Sequence, residues 1–115
     1  MVTLTGPDEA PARLVEMSAD VRAAVLVDPA GGLVGSGGSD RARARRLAGL
    51  AHDLLAIADA ASGPNEHVEA QTATGAVFAV RNARYTLACV ARRLALPALV
   101  LYDMRQTLLA LEEAG

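Results

Sequence analysis

The side chains that could carry chemistry in this chain are few: two histidines, His52 and His67, one cysteine, Cys89, and scattered hydroxyls and carboxylates. Nucleophilic catalysis needs a base beside Ser, Thr or Cys, and these two imidazoles are the only neutral-pH bases of that kind. Cys89 lies within Tyr85-Thr-Leu-Ala-Cys-Val-Ala91, an apolar run in which a thiol is inert packing. His52 adjoins Asp53, but neighbouring residues on a helix point about 100° apart, and no Cys or carboxylate stands at ligand spacing from either histidine. The expectation is structural histidines, no metal, no cofactor and no enzyme.

A second candidate is Gly35-Ser-Gly-Gly-Ser39, which precedes a predicted helix and could cradle an anion with its backbone N–H groups. It lacks the G-K-[ST] ending of a nucleotide-binding loop, and Asp40 would repel phosphate, so it reads as a linker between hairpin and helix. Four arginines follow, Arg41, Arg43, Arg45 and Arg46, with no aromatic residue interleaved to stack on bases. An acidic protein surface suits them better than nucleic acid.

The whole chain bounds these options. Its 115 residues fit one domain, 52% are hydrophobic against 21% charged, and aromatics make up 3%. Disorder is disfavoured, and an Ala- and Leu-rich core implies closely approaching layers. The net charge of −2 removes the global electrostatic case for nucleic acid or an anionic membrane. Cys89 has no partner for an internal disulfide, the N-terminal Thr, Pro, Asp and Glu do not read as a signal peptide, and no stretch has the length of a membrane span. A single cytoplasmic domain over 1–115 is expected.

The elements that must position these residues follow from periodicity. Asp8 to Ala19 reads as a short helix, with Leu14 and Met17 on its apolar side. Arg22 to Asp28 is a buried strand entering the Asp28-Pro-Ala-Gly-Gly32 turn, and Leu33-Val34 is a very short edge strand. A long helix opens at Ser39 or Asp40 and stops at Gly63-Pro64, with Leu47, Leu50, Leu54, Ile57, Ala58 and Ala61 as the stripe facing the sheet. His67 to Thr74 alternates weakly, a strand with too little apolar surface to be central. Ala76 to Val80 and Tyr85 to Ala91 are apolar on both faces and belong inside the sheet. A last helix runs from Pro97 to Glu113 on Val100, Leu101, Met104, Leu108 and Leu111, with Ala98, Tyr102 and Leu109 as a second stripe that packs on the first helix or, as the alternative, docks another protein. The order α-β-β-α-β-β-β-α with a two-sided sheet needs the long helix on one face and the terminal helices on the other.

That order, with Val21-Arg-Ala-Ala-Val-Leu-Val-Asp-Pro-Ala-Gly-Gly-Leu-Val34, a long helix from Ser39, and Tyr85-Thr-Leu-Ala-Cys-Val90 before the last helix, resembles the roadblock/dynein light chain family. The resemblance implies an α+β, roadblock/profilin-like fold with a five-stranded antiparallel sheet. It also implies a homodimer through the long helix and the third strand, and a non-catalytic scaffold or regulator bound to a small Ras-like GTPase. Bacterial members of the family sit beside such GTPases in polarity, motility and signalling systems. Asn82-Ala-Arg84 replaces the more common glycine-bearing turn between the last strands.

The residues give their own reasons to expect pairing. Opposite the assigned core stripe lie Arg45, Gly49, His52, Asp53, Ala56 and Ala60; with Asp59 on the same helix and Glu69, Gln71 and Ala73 on the third strand they form the expected interface. A glycine inside a helix costs roughly 1 kcal/mol relative to Ala, so Gly49 asks for a reason such as a second helix close by. Arginines fill the first half of this helix and Asp53 and Asp59 the second, so two antiparallel copies would complement one another. The alternative is a sensing domain whose helix and sheet enclose a small-molecule pocket, which would need a buried cavity of roughly 300 Å³ or more.

Overall fold

The computed structural model describes residues 6–114. Five strands form one antiparallel sheet in the order β2-β1-β5-β4-β3, with β1 Val21–Val27, β2 Leu33–Gly37, β3 His67–Gln71, β4 Gly75–Arg81 and β5 Thr86–Arg92. The three strands that are apolar on both faces, β1, β5 and β4, are the central ones. Their register sets Val25 opposite Ala88 and Ala79 opposite Ala88 on its other side, so small side chains line the middle of the sheet.

Helix α2, Arg41–Ser62, covers one face, and α1, Ala10–Met17, with α3, Pro97–Ala114, covers the other. The layer under α2 joins Ala44, Leu47, Ala51 and Leu55 to Val25, Val27, Val77, Ala79 and Ala88. Alanines at the helix-sheet contact on both sides let the layers approach closely, as the aromatic-poor composition implied. The other layer gathers Leu14, Leu26, Phe78, Leu87, Cys89, Val100 and Met104, all fully buried. Each buried Leu, Val or Met contributes roughly 1.5–3 kcal/mol relative to exposure.

Asp40, in extended conformation, caps α2 by accepting from the Arg43 N–H at 2.8 Å. Gly63, at φ +85°, closes it by donating its N–H to the Asp59 carbonyl at 2.8 Å.

Several boundaries differ from expectation for identifiable reasons. Helix α1 ends at Met17, which is exposed. Strand β2 runs on to Gly37, so Gly35, Ser36 and Gly37 pair with Leu26, Val25 and Ala24 and are not a linker. A Cβ at Gly35 would meet the Asp8 backbone and one at Gly37 the Ala12 Cα, so these glycines let α1 lie directly on the strand. The segment from Gly35 to Gly37 is therefore strand rather than loop. Strand β3 stops at Gln71 because Thr72 turns the chain, its hydroxyl accepting from the Gly75 N–H at 2.9 Å.

Candidate functional site

Three of the residues expected to lie against the sheet do not bury there. Buried α2 residues are Ala44, Leu47, Ala51 and Leu55, whereas Leu50 is 44% and Ile57 68% exposed, and Ala61 is exposed too. The inward stripe is rotated by about one residue from the one that the leucines mark, because Ala44 and Ala51 fit beneath the helix where a larger side chain would hold it off.

Rotation divides the outside of α2 into two flanks. At 100° per residue, Leu50, Leu54, Ile57 and Ala61 share one side, and Arg41, Arg45, His52 and Ala56 the other, with Gly49 and Asp53 on the crest between them. On the first flank Leu54, like Val68 of β3, packs against the layer under α2, which leaves Leu50 and Ile57 as an exposed apolar ridge. Strand β3 is an edge of the sheet, with Val68 and Ala70 half-buried and His67, Glu69 and Gln71 exposed.

The second flank borders an open groove of about 930 Å³ at the end of the sheet where β1 finishes and β5 begins. Its apolar floor is Val27, Leu33, Ala48 and Leu55; Arg41, Arg45 and His52 stand on one wall, and the Asp28 turn and Arg81 on the other. The groove lies beside the helix and opens to solvent, so it differs from the enclosed cavity that a sensing domain was expected to show.

The expected interface residues are therefore split. Arg45, Gly49, His52, Asp53, Ala56 and Asp59 border the groove, Ala60 is exposed further along α2, Glu69 and Gln71 are exposed on β3, and Ala73 sits in the β3–β4 turn. Asp59 is already engaged: Arg81 Nη2 donates to both of its carboxylate oxygens at 2.6 Å, and the Asn65 N–H to one of them at 2.9 Å. The Arg81 guanidinium, with help from Asn65, holds the Asp59 carboxyl below its ordinary value against a smaller opposing effect of desolvation. The Leu50 and Ile57 ridge and the Arg81–Asp59 pair escaped sequence reasoning; the first would have followed from testing alternative stripes, the second from nothing local.

No catalytic constellation forms among the described residues. Cys89 is buried with its Sγ 3.6 Å from the Met104 Sδ, and burial pushes its thiol up to about 12. His52 makes no hydrogen bond among the described residues, and His67 Nδ1 lies 3.3 Å from Arg105 Nη2. No group of three or more potential metal ligands exists among the described residues. None of the described helices is long and apolar enough to cross a membrane. The second stripe of α3 does not pack on α1 as expected: Tyr102 and Leu109 are exposed, because α1 is only eight residues long and lies over β1 and β2.

No family model matches the sequence, and no curated protein matches it. Solved structures do. A roadblock/LC7 domain from Streptomyces avermitilis superposes with a TM-score of 0.83 at 22% identity, over 96% of this chain and 98% of that one. MglB of Myxococcus xanthus superposes with a TM-score of 0.73 at 17% identity, over 99% and 93%. Profilin II of Acanthamoeba castellanii follows at 0.63 and 14% identity, over 96% and 100%. With the five-stranded antiparallel sheet in the element order α-β-β-α-β-β-β-α, the chain has the fold of roadblock/LC7 domains, which profilins share more distantly.

Proposed function

We propose that this protein is a homodimeric, non-catalytic scaffold of the cytoplasm that binds a small Ras-like GTPase. The observation that carries the dimer is the apolar ridge of Leu50 and Ile57 beside the sheet edge β3, uncovered and unpaired among the described residues. An exposed edge strand is a liability that pairing with a second copy removes, and the ridge supplies apolar area where the two helices would meet. Gly49 adds room: a Cβ there would meet nothing within 4 Å among the described residues, and none of their contacts requires glycine. Arg46 and Asp53 are equally spaced about Gly49 and Leu50, so a two-fold crossing at that point sets each arginine against the other copy's aspartate.

Support for the GTPase comes from the family resemblance and the fold. Solved structures of this fold include the gliding protein MglB of Thermus thermophilus and an MglB with a tetrameric arrangement.

Light scattering of the wild type and of Ile57→Arg tests the dimer. A wild type at twice the chain mass and a folded monomeric variant are expected; a monomeric wild type at micromolar concentration would sink the scaffold reading. Titration with purified Ras-like GTPases, each loaded with GDP and with a non-hydrolysable GTP analogue, tests the partner. Binding that prefers one nucleotide state is expected.

A further inference from the structure

We propose that the groove beside α2 binds a small organic anion with an apolar body, of the medium-chain carboxylate class. Its floor, Val27, Leu33, Ala48 and Leu55, is aliphatic, and its volume of about 930 Å³ is more than enough to admit a molecule of that class. The groove is lined by three arginines, Arg41, Arg45 and Arg81, and three aspartates, Asp28, Asp53 and Asp59, unevenly placed. Asp59 and Arg81 neutralise one another at one end. One oxygen of the Asp28 carboxylate, Oδ1, is held by its own turn, accepting from the Ala30 and Gly32 N–H groups at 3.0 and 2.8 Å. Asp53 stands on the crest of α2 at the outer rim. Arg41 and Arg45 remain, one turn apart on the same wall and without an acceptor among the described residues.

Their placement works against the isolated protein. Like charges four residues apart on a helix repel and cations near its N-terminus oppose its dipole; the acid nearest to them is the Asp40 cap, whose carboxylate is engaged by the Arg43 N–H. A carboxylate bound between the two guanidiniums removes both penalties, while its chain covers the aliphatic floor. Gly49 and Asp53 line the groove and also lie at the proposed helix crossing, so a second copy would border the groove, whereas Arg41 and Arg45 stand on the flank away from the Leu50 and Ile57 ridge.

Octanoate, octylamine and 1-octanol share an apolar body and differ in charge, so they serve as probes in heteronuclear NMR titrations at low salt. Octanoate is expected to shift the amides of Val27, Leu33 and Leu55 at concentrations at which octylamine does not, with 1-octanol weaker than octanoate. Arg41→Gln with Arg45→Gln is expected to weaken octanoate about tenfold or more, since each arginine contributes a charge-assisted hydrogen bond. Arg43→Gln with Arg93→Gln removes the same charge away from the groove and is expected to leave affinity within twofold. Glutamine favours helix, and circular dichroism checks that both variants fold. Equal binding of the three probes, equal effects of the two double variants, or shifts confined to exposed Leu94, Leu96 and Leu99 would each overturn the proposal.

Discussion

The Arg81 guanidinium holds both carboxylate oxygens of Asp59 at 2.6 Å, joining the end of β4 to the last turns of α2 across 22 positions of sequence. Arg81 also donates its Nε–H to the Asn65 carbonyl at 2.7 Å and its backbone N–H to the Glu66 carbonyl at 2.9 Å, so one residue fixes the α2–β3 connection. The Asp59 carboxyl is lowered in the folded state, so the stability it contributes is present above its ordinary value near 3.8 and is lost as pH falls through the lower folded value. Arg81→Gln should lower the melting temperature at pH 7, and its deficit against the wild type should shrink steadily below pH 4. A deficit that stays constant down to pH 2 would show that the pair contributes through packing alone.

What the sequence made legible was the order of elements, the central place of β1, β4 and β5, and both caps of α2. Apolar runs and Gly-Pro punctuation are local signals that tertiary packing does not reverse. The face of α2 was harder to read. Its inward positions include Ala44 and Ala51, whose small size is what the sheet requires, whereas Leu50 and Ile57 carry more hydrophobicity and face out. Weighting by hydrophobicity therefore selects the wrong stripe when a core is built on alanine. Gly35 and Gly37 misled in the same way: they read as a loop because their reason, the backbone of α1, lies 25 or more residues earlier in the chain. The groove depends on where α2 crosses the sheet, and no spacing in the sequence encodes that crossing.

Gly37→Val tests the close approach of α1 to β2. The added Cβ collides with backbone at Ala12, which cannot rotate away, so α1 must shift or detach. A loss of about 1–3 kcal/mol is expected from denaturant unfolding. Because α1 contributes buried Leu14 to the α3 layer, near-ultraviolet dichroism and hydrogen exchange in that layer should respond as well. Wild-type stability would mean that the helix does not rest on the strand in solution.

Cys89 should be silent toward thiol reagents. Its thiol is buried among Phe78, Leu87 and Met104, and desolvation pushes it up to about 12, so essentially no thiolate exists at neutral pH. Iodoacetamide labelling at pH 7.5 should proceed only as fast as the chain opens, and should accelerate in urea in step with unfolding. Labelling faster than the exchange of the β5 amides would reveal a local opening around this strand. Cys89→Ala should keep the fold and lose about 1–2 kcal/mol, the effect of a small cavity.

The proposed two-fold crossing at Gly49 and Leu50 makes a prediction that a solvated helix face does not. Under that symmetry Arg46 of one copy faces Asp53 of the other, twice per dimer. Arg46→Asp alone places like charges together at both contacts, and Asp53→Arg alone does the same. Exposed pairs contribute roughly 0.2–1 kcal/mol each, so each single change should weaken the dimer several-fold or more, whereas the double change restores opposite charges and most of the affinity. Sedimentation equilibrium of the four proteins at low and high salt measures this coupling. If the double variant is as weak as the sum of the singles, the helices do not cross at Gly49. If none of the variants differs from the wild type, the dimer forms through another face, and the edge of β3 would be the next place to look.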